Sequence, residues 1–266
     1  MTAVGFVGAG QMGLPMVRRL VAAGHDVRVH ARRSAVREEI ERLGAHVATT
    51  ARGAAEGCAL VIVCAFDDAQ LVEICTGPDG LLTGLSADAV LASHVTGTRA
   101  TVQALGDSTT AQVVDAPVSG TAQDIERGDL TVLLGGDPEA VRRCAEVMEA
   151  YASRLIRVGP RGTALAVKLA NNLLFAAHSQ LALEAVSLAS RFGVSQDVLL
   201  QALAACSGNS YAVATLGRVG DPDAYAAAAV PFLRKDVAAC EAELIASGAQ
   251  ADLLLDVVRR GPLALT

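Results

Sequence analysis

The chain has 266 residues, 52% of them hydrophobic and only 3% aromatic with no tryptophan, and a formal charge of -6. That length allows one large domain or two ordinary ones. The scarcity of aromatics and the acidic balance argue against base-stacking platforms and a nucleic-acid partner.

The first element is an apolar strand over residues 3–8, "AVGFVG". An amphipathic helix follows in "QMGLPMVRRLVAAG", then a second, alternating strand in "HDVRVHA" after the stop at Gly24. Further strands are expected in "ALVIVCA" (59–65), "AVLASH" (89–94), "AQVVDAPV" (111–118), "LTVLLGG" (130–136) and "RLIRVG" (154–159). Helices at 69–75, 98–105 and 138–148 lie between them. Strands alternating with helices imply βαβ units and a largely parallel sheet. Beyond residue 160 the pattern is helical throughout. Residues 163–192 form one candidate helix of about thirty residues, or roughly 45 Å. A last long helical segment is interrupted at Pro231, where a break or a new start is expected. The expected architecture is therefore an α/β Rossmann-type domain over 1–160 and an all-helical domain over 161–266, joined by the long helix.

Six cysteines, at 58, 64, 75, 144, 206 and 240, form no CxxC or CxxxC pair, so no metal is expected and small core residues in a reducing compartment are. The opening segment has no basic leader, and no 18 consecutive apolar residues occur, which makes the cytoplasm the expected compartment and a membrane an unexpected partner.

The sequence Gly8-Ala9-Gly10-Gln11-Met12-Gly13 stands between the first strand and the first helix. Gly8 permits a tight turn, Gly10 lets backbone approach a pyrophosphate, and Gly13 lets helix and strand pack closely. The helix then offers unpaired N–H groups to the anion. The spacing alone is a weak signal; its strand-turn-helix context makes it a dinucleotide site. Where an NAD site has an acidic residue for the adenosine ribose, the second strand ends in Arg32 and Arg33. Guanidinium groups suit a 2′-phosphate, so NADP(H) is expected over NAD(H). Stacking of Arg on adenine would instead serve both cofactors. Ala65, Phe66 and Asp67, at the end of the third strand, and Thr96, beyond the next, are assigned to the same cofactor. Either Asp67 or Asp68 can cap the following helix, a role assigned first to Asp68.

Four segments in order resemble the β-hydroxyacid dehydrogenase family, which includes the 3-hydroxyisobutyrate and tartronate semialdehyde enzymes and is more distantly similar to 6-phosphogluconate dehydrogenase. They are "GFVGAGQMGLPM", "DAPVSG" (115–120), "GPRGTALAVKLANN" (159–172) and "FLRKD" (232–236), and they extend over most of the chain. The resemblance implies Ser119 and Gly120 as contacts to a small carboxylate substrate, Lys168 as the catalytic residue with Asn172 as its companion, and Phe232 and Lys235 as cofactor contacts. It also implies a homodimer or homotetramer assembled through the helical domains. Three departures bear on it. His94 stands where a Thr is usual and is assigned to the substrate wall. Thr121 replaces a Gly, which would be strained if that position needed positive φ. "VVRRGPLALT" is short of the usual terminal segment, which would leave the pocket more open.

The implied chemistry is hydride transfer between a β-hydroxy acid and its semialdehyde. A cationic Lys168 would protonate the carbonyl oxygen during reduction, and a neutral one would accept that proton during oxidation. The ordinary lysine pKa near 10.4 must then fall, as burial would make it do. Read without the resemblance, Lys168 is a stem covering apolar surface with its charge in water. Asn172, four residues on, lies on the same helical face and can orient without adding charge. The competing functions are a nucleotide-sensing or scaffold protein, a decarboxylating dehydrogenase, which the absence of a dense Arg/Lys cluster disfavours, and a reductase of another small carbonyl. Imine reductases resemble the family but generally replace the lysine with Asp or Tyr, which keeps this chain on the hydroxyacid side.

Overall fold

The computed structural model describes residues 1–266 as two compact units, Met1–Lys168 and Leu169–Thr266. The first is built on nine strands: β1 (Ala3–Val7), β2 (Asp26–His30), β3 (His46–Ala48), β4 (Leu60–Val63), β5 (Val90–Ser93), β6 (Gln112–Asp115), β7 (Val118–Ser119), β8 (Leu130–Gly135) and β9 (Ala152–Gly159). Seven helices fall between them: α1 (Gly13–Ala22), α2 (Ser34–Arg42), α3 (Ala51–Ala55), α4 (Asp68–Cys75), α5 (Arg99–Asp107), α6 (Ala122–Arg127) and α7 (Pro138–Met148). The order across the sheet is β3-β2-β1-β4-β5-β6-β8-β7, with β9 beside β8.

Strands β3 to β6 pair in parallel, as their alternation with helices requires. The direction reverses at β8, which runs antiparallel to β6 and β7 and parallel to β9. The segment read as one strand over 111–118 is two, because Pro117 has no N–H to continue the ladder. Each face of the sheet carries its own core. Phe6, Met16, Leu20, Ile40 and Tyr151 fill one; Val61, Leu71, Leu81, Leu91 and Val102 fill the other. Burial on both faces is why these strands read as continuous apolar runs.

Helix α8 (Thr163–Arg191) begins in the first unit and continues into the second, which adds α9 (Gln196–Ala205), α10 (Tyr211–Val219), α11 (Pro222–Ser247) and α12 (Asp252–Arg260). Leu169, Leu173, Ala176 and Ala177 fall at helical spacing and pack with Leu216, Tyr225, Leu233 and Val258. By length and composition α8 could cross a membrane. Its inward stripe is nevertheless polar at intervals. Ser179 shares a 2.7 Å bond with the Tyr225 hydroxyl, and the Gln180 amide donates to the Val258 and Leu263 carbonyls while accepting from the Leu263 N–H. These buried partners mark a core helix.

Pro231 does not break α11, contrary to the sequence expectation. Only its own N–H is lost from the ladder, and Leu233, Asp236, Val237 and Cys240 beyond it hold the helix by burying one face.

Candidate active site

Parallel pairing in register brings Val7, His30, Val63, Ser93 and Asp115 into one row across the sheet. Every segment that follows these residues therefore leaves the same carboxyl edge, where open sheets bind ligands. The glycine turn, Arg32 and Arg33, Ala65 to Asp67, His94 to Thr96 and the loop reaching Ser119 all start from that row.

At the switch point between β1 and β4, a Cβ on Gly8 would lie 2.0 Å from the Cys64 carbonyl oxygen, and Gly8 has φ +101°. A Cβ on Gly13 would lie 2.2 Å from the Gly8 carbonyl. Gly10, by contrast, faces open space. Helix α1 has no side-chain cap and no acid in its first turn, so its amino end keeps the N–H groups and dipole that an anion requires. A dinucleotide phosphate fits this cradle, with Ala9, Gln11 and Met12 beside it. Arg32 and Arg33 are exposed at the end of β2, neither with an ion-pair partner.

Of the two aspartates after β4, the cap is Asp67 and not the favoured Asp68. Asp67 is extended and its carboxylate accepts from the Gln70 N–H at 2.9 Å, so it is Asp67 that caps α4. Asp68 accepts from the Thr98 N–H at 2.8 Å and the Thr98 hydroxyl at 2.9 Å, tying the loop that contains Thr96 to α4. Phe66 is exposed. His94 is buried: its Nδ1 lies 2.5 Å from the Ala116 carbonyl and its Nε2 2.9 Å from the Tyr151 hydroxyl. Burial pulls its pKa to about 4, against the opposing pull of the Ala116 bond. At neutral pH it is an uncharged imidazole with both ring nitrogens engaged.

Ser119, the last residue of the short strand β7, and Gly120 just after it are exposed. Gly120 has φ +138°, which only glycine adopts readily. Thr121 has φ -115° and caps α6 in a reciprocal arrangement with Asp124. The strain considered for position 121 is therefore absent, and a β-branched residue suits it. At the root of this loop Asp115 is fully buried; its carboxylate accepts from the Gly162 N–H at 2.7 Å and the Leu165 N–H at 2.9 Å. Burial raises its pKa, and these backbone bonds oppose the rise. Lys168 follows Leu165 by three residues on α8 and is only 8% exposed.

In the second unit, Asn172 is equally covered. Its amide accepts from Asn171 and donates to Asp236 at 2.6 Å. The other oxygen of Asp236 is 2.8 Å from the Lys235 ammonium, an ion-pair contact that leaves that oxygen without an aligned hydrogen bond. A charge-assisted bond of the Asn172–Asp236 kind is worth about 1.5–3 kcal/mol. Asp236 was missed by sequence reasoning; an acid among the apolar residues of "FLRKDVAAC" was its available signal. Phe232 is exposed on the same helix. Among the chain's side chains, no cluster of His, Cys, Asp and Glu could hold a metal ion.

Residues 3–159 match the family model described as the NAD-binding domain of 6-phosphogluconate dehydrogenase, and 162–260 match that of NADP-dependent 3-hydroxyisobutyrate dehydrogenase. The chain is 33% identical over 180 residues to an oxidoreductase of Shewanella frigidimarina, spanning 66% of this chain and 62% of that protein. It is 32% identical over 220 residues to a probable 3-hydroxyisobutyrate dehydrogenase of Mycobacterium tuberculosis, covering 81% and 73% of the two chains. A 3-sulfolactaldehyde reductase of Escherichia coli is 32% identical over 211 residues, covering 76% and 69%. Among solved structures, the Mycobacterium tuberculosis 3-hydroxyisobutyrate dehydrogenase with L-serine superposes with a TM-score of 0.85 at 27% identity, over 97% of this chain and 92% of that one. An imine reductase from a Pseudomonas species, at 21% identity and a TM-score of 0.64, shares the fold alone. With a Rossmann-type sheet, a helical second unit and both family models matched in order, the chain belongs to the β-hydroxyacid dehydrogenase family.

Proposed function

We propose that this protein is an NADP(H)-preferring oxidoreductase that interconverts a small β-hydroxy acid and its semialdehyde, with Lys168 as general acid and base. The observation that carries this reading is the burial of Lys168 and Asn172, 8% and 7% exposed, one turn apart on an otherwise apolar helix. When bound, the nicotinamide dinucleotide supplies a hydride to the carbonyl carbon or takes one from the hydroxyl-bearing carbon. In reduction Lys168 Nζ gives its proton to the carbonyl oxygen as charge develops there; in oxidation the neutral amine takes the hydroxyl proton. Asn172, one helical turn on, orients that group, its own amide being held by Asp236. The exposed Ser119 hydroxyl and Gly120 N–H are donors for the substrate carboxylate. Phe232 and Lys235 are assigned to the cofactor on the family resemblance alone.

The names of the relatives narrow the substrate class. 3-Hydroxyisobutyrate and L-serine each carry a hydroxyl on the carbon β to a carboxylate, and 3-sulfolactaldehyde is a small aldehyde bearing an anionic group. A panel of such aldehydes and hydroxy acids, followed by NADPH or NADH absorbance, tests the reading; no turnover across the panel counts against it. NADPH is expected to bind more tightly than NADH, and Arg32→Ala with Arg33→Ala to remove most of the difference. Equal affinities in the parent protein would reject the 2′-phosphate role.

A homodimer or homotetramer in a reducing, cytoplasmic compartment completes the proposal. All six cysteines are unpaired. Leu174, Leu181 and Leu188 are exposed on α8 at seven-residue intervals, with Phe192 one turn further on. A repeat of seven keeps one seam turned toward a neighbouring helix, here that of a second copy. Sedimentation is expected to give at least twice the 27.2 kDa chain mass, and Leu181→Glu to reduce that species. A monomer at micromolar concentration contradicts the assembly.

A further inference from the structure

We infer that Asp115 is a positioning residue for the reaction: its carboxylate clamps the amino end of α8 to the root of the substrate loop and so sets where Lys168 stands relative to Ser119. The inference rests on the reading of Lys168 as the proton-handling group. Gly162, immediately before α8, has no side chain with which to cap the helix; the Thr163 N–H finds the Pro160 carbonyl at 3.1 Å, but the buried N–H groups of Gly162 and Leu165 need another acceptor. Asp115 supplies both acceptors from 47 and 50 residues earlier, to the N–H groups of Gly162 and Leu165 respectively. The amide of Ala164 also faces this carboxylate.

The slot is shaped for it. A Cβ on Gly135, the residue paired with Asp115 across β6 and β8, would lie 2.6 Å from the Asp115 carboxylate and 3.0 Å from the Ala164 nitrogen. From this anchor the chain runs one way through Ala116, Pro117 and Val118 to Ser119. On α8, Lys168 lies less than one turn beyond Leu165. The loop is fixed at the same root, since the Ala116 N–H donates to the Ser93 carbonyl at 2.7 Å and the Ala116 carbonyl meets His94. A single carboxylate thus gives the proposed carboxylate donors and the proposed proton donor a common origin.

Asp115→Asn keeps the shape but turns one acceptor into a donor that opposes a backbone N–H. Its expected effect is a fall in kcat of about 10- to 100-fold, the scale of a catalytic group displaced by about an ångström. KM and NADPH affinity should stay near the parental values. The same change in a Lys168→Ala background should cost nothing further, because there is then no lysine left to misplace. A purely structural lesion would instead lower the rate by the same factor in both backgrounds. Should Asp115→Asn not fold, Gly135→Ala is measured in the same two backgrounds, since its methyl displaces the carboxylate from its slot. The assay uses whichever semialdehyde the parent protein reduces. Parental kcat in the folded variant, or an equal loss with and without Lys168, overturns the inference. Parental kcat in Lys168→Ala overturns the reading beneath it instead.

Discussion

In single-turnover reduction with saturating NADPH, Lys168→Ala is expected to be slower than the parent by about 10²–10⁴-fold, the range for a positioned proton transfer. NADPH binding should survive, because the turn at Gly8 to Gly13 lies at β1 and α1, whereas Lys168 is on α8. Helix α8 should still form, since alanine is the best helix former. That combination separates a working lysine from one whose stem covers apolar surface, for which truncation would cost packing and leave the rate alone. Asn172→Ala should slow the reaction less, as the ammonium remains and only its orientation is loosened. A parental rate for Lys168→Ala ends the proposed mechanism.

The second large effect concerns the glycine turn, where two neighbouring glycines should behave differently. Gly8→Ala meets the Cys64 carbonyl at 2.0 Å and places a side chain at φ +101°. The backbone strain alone is of order 1–3 kcal/mol, and displacement of β4 adds to it. In a chain of this size that lowers the melting temperature by roughly 2–4 °C per kcal/mol, together with loss of cofactor binding. Gly10→Ala adds its methyl to open space, so melting should be parental while NADPH affinity falls. Calorimetry and NADPH titration on both variants distinguish the outcomes. If Gly10→Ala binds NADPH as the parent does, the phosphate does not approach there.

Much of this architecture is visible in one dimension, for identifiable reasons. The buried parallel strands announce themselves as apolar runs, and α7 follows from the capping Asp137 and Pro138. Elements without such a signature escape. Strand β3 has three residues and begins at the exposed His46; α3 is five residues of alanine, arginine and glycine; α2 has only Val36 and Ile40 to bury. The reversed direction of β8 is set by tertiary pairing, which periodicity does not encode. Pro231 misleads because a rule about one missing N–H competes with a buried face, and the face wins.

The same limit applies to the candidate site. The glycine turn is local and can be read from thirteen residues. The partnerships of Asp115 with Gly162 and of Asn172 with Asp236 join positions 47 and 64 residues apart. Nothing in "DAPVSG" says that its first residue will cap a helix encoded so much later. The cap of α4 falls to Asp67 and not to the favoured Asp68 for a smaller reason: it belongs to the last extended residue, and helix starts read from sequence carry an error of a residue or two.

The distribution of thiols gives the folded molecule a chemical asymmetry. Burial pushes the thiols of Cys64, Cys75 and Cys144 up to about 12 and raises those of Cys58 and Cys240. Since the thiolate is the attacking species, these five are poor targets for an alkylating reagent. Cys206 alone of the six is exposed, just after α9. A maleimide dye thus has one address on the native chain, in the helical unit, and the appearance of a second labelled position reports that a core has opened.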